Sequence, residues 1–431
     1  MRSKILGPSL AVLFLVNVLN YYDRQALGAL AEPLRHEFAL SDTQLGALST
    51  VFIVVYAVAG LPLGRLADRS IRKRMLAIGV ACWAGLTSVG GAAASYAFLA
   101  VTRIGVGIGE AVCAPVAVSW IGDLVAVEER ARAMAGFMMA VPIGVMLSSS
   151  VTGPAAQAHG WRIALALAGA PALLLAPVVA ALPEPDRASG ARSGPHHAGL
   201  RELAKTRSLW WIAASGAILN FALYSFSAFL PAFLQRYHGL SIAQAGVWTG
   251  VGSGAAGILG AVAAGVCGDR IIRRWKNGRL LLAAGASLTA APLALTAIRV
   301  AAGNAGRALA LLMPAYGLLQ MYYGLVYAAI NDIVAPELRG TAMAAYLLVT
   351  YLGGAAFGPL LTGMLSDRLA RQAAGGFGVT EAARAIGLHQ AMYVVPALAI
   401  ALAAVLWAGA RSMLERGPAE EPAVDGRGHI S

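Results

Sequence analysis

The sequence predicts an all-α membrane protein: twelve transmembrane helices in two six-helix parallel repeats. Three observations predict it. The chain is 58% hydrophobic and only 13% charged, with a mean hydropathy of +0.68, whereas soluble domains carry about 25% charged residues. Apolar runs of about 20 residues or more, each long enough to cross roughly 30 Å of hydrocarbon, recur along its whole length. Finally, the second half of the chain repeats the first.

Taken in order, the runs cover residues 5–31, 43–66, 75–95, 97–123, 131–157, 161–182, 209–236, 242–268, 279–299, 305–334, 339–365 and 389–411, here called spans 1 to 12. The first is too long for a cleaved signal peptide and no small-residue cleavage site follows it, so it is expected to stay as a span. Spans 2 and 8 open on the same S-x-x-Q, a capping-box start: Leu40-Ser41-Asp42-Thr43-Gln44-Leu45-Gly46 matches Leu240-Ser241-Ile242-Ala243-Gln244-Ala245-Gly246. After span 2, Gly64 to Lys73 matches Gly265 to Arg274. After span 4, DLVAVEERARAMA from Asp123 matches DIVAPELRGTAMA from Asp332, with eight of thirteen positions identical. The offsets of 200, 201 and 209 residues run in order. The domains expected are a first half over 1–182, a linker over 183–208 rich in Pro, Gly, Ser and Arg, a second half over 209–411 and a polar tail over 412–431. A short surface helix is expected at 200–207.

The net charge of +12 does not point to nucleic acid. With the N-terminus placed in the cytoplasm, most of the 33 Lys and Arg fall in cytoplasmic segments, which is the positive-inside bias of a membrane protein. That places both termini in the cytoplasm of a bacterial-type inner membrane. Cys82, Cys113 and Cys267 lie in apolar runs and read as buried small hydrophobes, not a disulfide framework or a metal site. The seven His residues cluster at loops and ends.

Two parallel six-helix halves describe the architecture of the major facilitator superfamily. The segment Gly64-Arg65-Leu66-Ala67-Asp68-Arg69, with Arg72-Lys73-Arg74 behind it, resembles the superfamily's loop between spans 2 and 3. Gly64 lets span 2 approach a neighbour closely. The resemblance implies that Asp68 faces the start of span 11, where the helix dipole favours negative charge. Arg69 and Arg72 are placed to reach Asp123 or Glu128, and Asp269, Arg270 and Asp332 repeat the device. Together they are expected to latch the halves on the cytoplasmic side. The alternative is ordinary surface ion pairing, worth about 0–1 kcal/mol per pair.

Charges at bilayer depth are costly, roughly 2.5–3.5 kcal/mol each, and two spans carry them. NYYDRQ in span 1 holds Asp23 and Arg24, and RIGVGIGE in span 4 holds Arg103 and Glu110. At about 1.5 Å per residue the four fall in one slab between the midplane and roughly 10 Å outside it. Arg103 and Glu110 share a face at i, i+7, with three glycines between them. The expected pairs are Asp23 with Arg103 and Arg24 with Glu110. A carboxylate beside arginines stays ionised. When the site opens or the arginine moves, desolvation penalises the charged form and the group takes a proton, freeing the arginine for an anionic substrate group. The alternative is a static quartet that locks span 1 to span 4.

In this fold spans 1, 4, 7 and 10 line the cavity, and each carries a polar stripe. Span 1 offers Asn17, Asn20 and Arg24. Span 7 offers Asn220, Tyr224 and Ser227, with Phe226, Phe229 and Phe233 as aromatic company. Span 10 offers Tyr316, Gln320, Tyr323 and Tyr327, where packing or interfacial anchoring is the alternative. Ionisable groups fall in the first half only. Such a cavity suits a small amphipathic molecule, with a polar or anionic head near Arg24 and Arg103 and an apolar body along spans 7 and 10.

NYYDR at 20–24, Leu40-Ser41-Asp42, the span 2–3 loop and Arg103 to Ala111, with Pro115 and Ser119 beyond, resemble the spinster family. The match is dense in the first half and weaker in the second. Characterised eukaryotic members export sphingosine-1-phosphate or move lysophospholipids, and bacterial members are regarded as proton-coupled. The resemblance implies that Asp23, Arg24 and Glu110 form the coupling site, with Arg103 alongside. The function expected is proton-coupled export of a lysophospholipid, sphingoid phosphate or drug-like molecule by a monomer in the lipid bilayer, driven by the proton gradient with no cofactor. The competing reading is a proton-driven importer of a small organic anion. An intramembrane enzyme would need a nucleophile and base or metal ligands at one depth, and the sequence presents none. A transport-dead sensor would carry a large soluble extension.

Overall fold

A computed structural model describes residues 2–67, 70–126, 129–184, 206–334, 338–376 and 378–414. Among them every regular element is a helix. The linker beyond Glu184, the helix expected at 200–207 up to residue 205, and the tail from 415 lie outside the described residues, as do Asp68, Arg69 and Glu128.

Each predicted span is found. Spans 1 to 3 are Arg2–Ala29, Asp42–Ala67 and Arg72–Gly90. Span 4 is Tyr96–Glu110 continued by Cys113–Leu124, and span 5 is Arg130–Met138 continued by Ala140–His159. Spans 6 to 10 are Trp161–Ala181, Arg207–Arg236, Ile242–Ile271, Gly278–Ile298 and Ala305–Ile333. Span 11 runs from Arg339–Thr350 through a π-helical turn, Tyr351–Ala355, into Phe357–Ala373, and span 12 joins Glu381–Ala391 to Val394–Leu414. By length and composition ten of these helices qualify as membrane-crossing. The other two, spans 1 and 3, carry the charges Asp23 and Arg24 and the basic run Arg72-Lys73-Arg74.

Local chemistry explains the boundaries. Both S-x-x-Q sequences close capping boxes. Ser41 Oγ accepts from Gln44 N while Gln44 Oε1 accepts from Ser41 N, and Ser241 with Gln244 does the same. This removes two orphan backbone donors at each helix start. A short helix, Ala31–Phe38, follows span 1 where the sequence shows no separate signal. It ends at Ala39 in the left-handed region, φ 51°.

With lipid on the outside, helices associate through close backbone packing at small residues. Span 5 sets Gly144 against the carbonyl of Val18 in span 1. Span 11 sets Gly354, inside the π-turn, against the carbonyl of Ala217 in span 7. Spans 5 and 8 meet at Gly153 and Gly246, and spans 2 and 11 at Gly46 and Gly363. A methyl at any of these would sit within 3.0 Å of a neighbouring backbone atom. Large apolar side chains such as Leu174 (75% exposed) and Leu259 (70%) point outward, as expected of a lipid-facing surface. Cys113 is buried, but Cys267 is exposed, so the expectation of three buried thiols fails there.

Candidate functional site

The four charges predicted at depth converge. Arg24 Nε lies 2.7 Å from Glu110 Oε2, and Arg103 Nη1 lies 3.8 Å from Asp23 Oδ2. Asp23, Arg103 and Glu110 are buried. The second pair is mediated by a residue that sequence reasoning missed. Thr87 of span 3 donates its hydroxyl to Asp23 Oδ2 at 2.8 Å and accepts from Arg103 Nη2 at 3.0 Å. Its only signal in sequence is a threonine within an apolar run. Arg24 is also caged by aromatics, its guanidinium carbon 4.2 Å from the Tyr56 ring centre, 4.9 Å from Tyr21 and 5.8 Å from Phe52. Cation–π contacts of this kind gain strength when desolvated. Asp23 Oδ1 and Glu110 Oε1 accept from no donor and Arg103 Nε finds no acceptor, while the Asp23 and Glu110 carboxyls lie against each other. Buried ionic groups are normally saturated, so this cluster is conspicuous for what it leaves unpaired.

Arg24 and Arg103 line a cavity with Gln25, Ser49, Tyr224 and Ser227. It holds about 30 Å³, room for a water or two and far short of the several hundred Å³ of a ligand site. Ser227 of span 7 hydrogen-bonds Gln25 of span 1, closing one wall. The other predicted stripe residues divide. Asn17 donates to the Phe137 carbonyl at 3.1 Å, so its amide is turned to span 5. Asn20 is buried with its Nδ2 unpartnered. Asn220 accepts from Tyr323 at 3.0 Å, and Gln320 donates to Tyr316 at 2.8 Å. Tyr323, Tyr327 and Tyr346 form successive edge contacts, and Tyr351 in the π-turn bridges Tyr56 and Tyr224. Phe226 stacks on Tyr316. Phe233 instead packs on Tyr237, His238 and His389 at the end of span 7, away from the cavity, because it lies two turns beyond Phe226. Tyr21, Tyr56, Tyr346 and Tyr351 complete this seam and were not singled out in sequence.

One end of the bundle carries the basic loops, and there Arg72 pairs with Asp123 and also bonds Ser119 and Glu184. The second half repeats the pair, with a correction. Arg279, not the exposed Arg270, bridges Asp332 and Asp269. Arg279 opens span 9 as Arg72 opens span 3, so the helix start dictates the partner. Arg72–Asp123 and Arg279–Asp332 each lie within one half, and the remaining members of the expected latch, Asp68, Arg69 and Glu128, lie outside the described residues. Among the described residues, ion pairs between halves occur at the opposite end: Arg236 with Glu32 and Asp42, and Arg35 with Glu381. Among the described residues, Gly64 has only the Pro115 side chain near it, at 3.9 Å from a would-be Cβ, and no backbone approaches it closely.

Residues 13–359 match the family profile described as Major Facilitator Superfamily. The chain belongs to this superfamily. It is 34% identical over 372 residues to an MFS-type efflux pump of Mycolicibacterium smegmatis, covering 84% of each chain. It is 30% identical over 392 residues to human protein spinster homolog 1, covering 84% of this chain and 73% of the other. Among solved structures, a bacterial homolog of the human lysosomal transporter Spinster, in an inward-facing and unoccupied conformation, superposes with a TM-score of 0.85 at 26% identity, over 97% of this chain and 99% of that one. The chain is therefore spinster-like, a multi-pass membrane protein of a transporter superfamily, and the intramembrane tetrad sits in the half where that resemblance is densest in sequence.

Proposed function

We propose that this protein is a proton-coupled transporter working by alternating access, and that it exports an amphipathic molecule of the lysophospholipid or sphingoid-phosphate type, or a drug of similar shape. The observation that carries the reading is the tetrad: two buried carboxylates pair with two arginines that line one small cavity, and Asp23 Oδ1 and Glu110 Oε1 accept a hydrogen bond from no donor. A structural lock would be better served by apolar packing or a saturated network. An unsaturated carboxylate beside a movable arginine can exchange a proton when its surroundings change. In this reading Glu110 takes a proton, releases Arg24 from its 2.7 Å pair, and leaves the guanidinium held by aromatic faces alone, available to an anionic head group. The apolar body then lies against the tyrosine seam of spans 7, 10 and 11. The kinship with an efflux pump and with spinster proteins supports export and an amphipathic cargo.

The basic end faces the cytoplasm of a bacterial-type inner membrane in this reading, following the positive-inside rule. The cluster Arg72–Asp123 and its repeat Arg279–Asp332 form the inner gate, together with Asp68 and Arg69 as the superfamily resemblance implies. The energy source is the proton gradient.

The test is a thermal-shift screen of lysophospholipids, sphingoid phosphates, organic anions and cationic drugs on the purified protein and on Glu110→Gln, followed by transport of the hit in proteoliposomes under an imposed pH gradient. The expected result is a hit whose binding changes with pH in the wild type and not in the variant. Binding indifferent to both pH and Glu110→Gln would remove the coupling role.

A further inference from the structure

The π-turn of span 11 borders the tyrosine seam, and no role above accounts for it. Its mark is a backbone bond five residues long: Ala356 N donates to Tyr351 O at 2.9 Å, where an α-helix bonds four residues back. One extra residue is taken into the helix without breaking it. Single-turn insertions of this kind are frequent at functional sites.

The internal repeat locates the insertion. Spans 1 and 7 keep one register of 199 residues, as the pairs Asn17/Gly216 and Val18/Ala217 show. Against that register spans 5 and 11 first correspond at 209: Asn17 bonds the Phe137 carbonyl, and Gly216 faces the Tyr346 ring. Beyond the turn they correspond at 210. Gly144 meets the Val18 carbonyl as Gly354 meets that of Ala217, and Gly153 meets the Ile242 carbonyl as Gly363 meets that of Asp42. Gln157 Oε1 accepts from Ala243 N at 2.9 Å as Asp367 Oδ2 accepts from Thr43 N at 2.8 Å, which makes Gln157 the neutral counterpart of Asp367. The second half therefore gains one residue between Tyr346 and Gly354. Span 5 has no π-turn. Counted from the start of the span, Tyr351 stands where span 5 has Pro142, a small ring near Gly257 of span 8.

The large ring at this place joins the two halves. Tyr351 lies 5.8 Å, centre to centre, from Tyr56 of span 2 and 6.3 Å from Tyr224 of span 7. Of the three rings around Arg24, Tyr56 is the nearest, at 4.2 Å. All three tyrosines lie on the basic side of the Arg24 cavity. Span 2 runs toward the basic loops, and Tyr56 is one turn past the lining residues Phe52 and Ile53. Spans 7 and 11 run the other way, with Tyr224 one turn before Ser227 and Tyr351 two turns before Pro359. A solute reaching Arg24 from the basic end passes these rings.

We propose that Tyr351 is a specificity-determining residue: its ring narrows the approach to Arg24, so that a compact anionic head of phosphate-monoester size reaches the two arginines and a head extended by choline does not. Arg24 and Arg103 both line the cavity, and guanidinium groups bind phosphate oxygens in a forked geometry. The cavity holds about 30 Å³, so a bulky head enters only if the aromatic wall moves. Tyrosine has few torsions to yield with, and packed interiors resist added volume. The size limit rests on this geometry alone. The choice of head group rests on the amphipathic cargo proposed above.

The test uses the full-length protein in nanodiscs, with Cys82, Cys113 and Cys267 replaced and Ser227→Cys as a reporter lining the cavity. Ser49→Cys, also in the lining, is the second reporter. Each is labelled with methyl and with benzyl methanethiosulfonate, which are neutral and differ in bulk. The ratio of the two rates cancels the fraction of time the cavity is accessible. Tyr351→Ala is expected to raise the benzyl-to-methyl ratio by about tenfold, and Tyr351→Val serves in the same way should Tyr351→Ala fail to fold. Tyr351→Phe, which keeps the ring, and Tyr327→Ala, elsewhere in the seam, are expected to change it by less than about threefold. An unchanged ratio in the truncated variants overturns the proposal, and so does an equal rise in Tyr327→Ala, which would mean general loosening. Lysophosphatidic acid and lysophosphatidylcholine of one acyl chain are then compared as protectants against the methyl reagent. With Tyr351 present the first is expected to slow labelling and the second not; with Tyr351→Ala both should. Equal protection with Tyr351 present overturns the head-group limit. If the ratio rises in Tyr351→Ala and neither lipid protects, the size limit stands and the amphipathic-cargo reading is what falls.

Discussion

Two buried ionic clusters in this protein are built on opposite principles. The tetrad of Asp23, Arg24, Arg103 and Glu110 lies within the first half and leaves two carboxylate oxygens without a donor and one guanidinium nitrogen without an acceptor. The clamp of Glu32, Arg35, Asp42 and Arg236 crosses between halves, and both oxygens of Asp42 and all three donor nitrogens of Arg236 are engaged. Burying charge is repaid only when geometry and remaining hydrogen bonds are good. The clamp meets that condition and the tetrad does not.

The sharpest way to break the comparison is to remove one arginine from each cluster. Arg236→Ala leaves Asp42 and Glu32 buried against each other, and should destabilise by about 3–5 kcal/mol, read as a lower thermal unfolding temperature. Arg103→Ala should cost less, on the order of 2 kcal/mol, because Thr87 still serves Asp23. Equal losses would erase the distinction. Next in size, Thr87→Val strips a hydrogen bond from both Asp23 and Arg103, at about 1–3 kcal/mol. Unlike a core defect, it should also move the pH dependence of transport. Gln157→Ala removes the neutral counterpart of Asp367 and is expected to cost about 0.5–1.5 kcal/mol, less than Asp367→Asn in the same unfolding assay.

The smallest effect concerns His238, between spans 7 and 8 beside the clamp. Burial, with the charge of His389 as a lesser cause, holds its ring below the ordinary histidine range. Both ring nitrogens lack partners, and Phe233, Tyr237 and His389 surround it. The folded chain therefore binds this proton less readily than the unfolded chain. Its contribution is intact above about pH 6.5 and is lost as pH falls below that. His238→Phe should flatten the fall in unfolding temperature between about pH 6.5 and 5. An unchanged acid limb would show that other groups set it.

Much of this was legible because membrane proteins write their architecture in one dimension. Apolar runs, positive loops and two S-x-x-Q starts needed no tertiary information, and charges at matching depth had few possible partners, so Arg24–Glu110 and Arg103–Asp23 followed from helical rise and the i, i+7 spacing of Arg103 and Glu110. The clamp was less legible. Its sequence signals were Asp42 within Leu40-Ser41-Asp42 and a mismatch in an otherwise matched repeat, Asp42 where the second half has Ile242, and neither names Arg236 or Asp367 as its neighbour. Arg279 was missed for a related reason: the matched motif ended at Arg274, and the pairing residue begins the next helix.

By itself, then, the sequence determined the helices, their number and order, the duplication and the slab of charge in the first half, since each depends on local composition and on the rise and period of a helix. Only the tertiary structure decided which groups are saturated, that Thr87 mediates one pair, that aromatic rings cage Arg24, and that, among the described residues, the ion pairs between halves stand at the end opposite the basic loops. Those facts depend on the rotation and approach of helices more than 100 residues apart in the chain, which glycine contacts and one π-turn set to within an ångström and which no periodicity records.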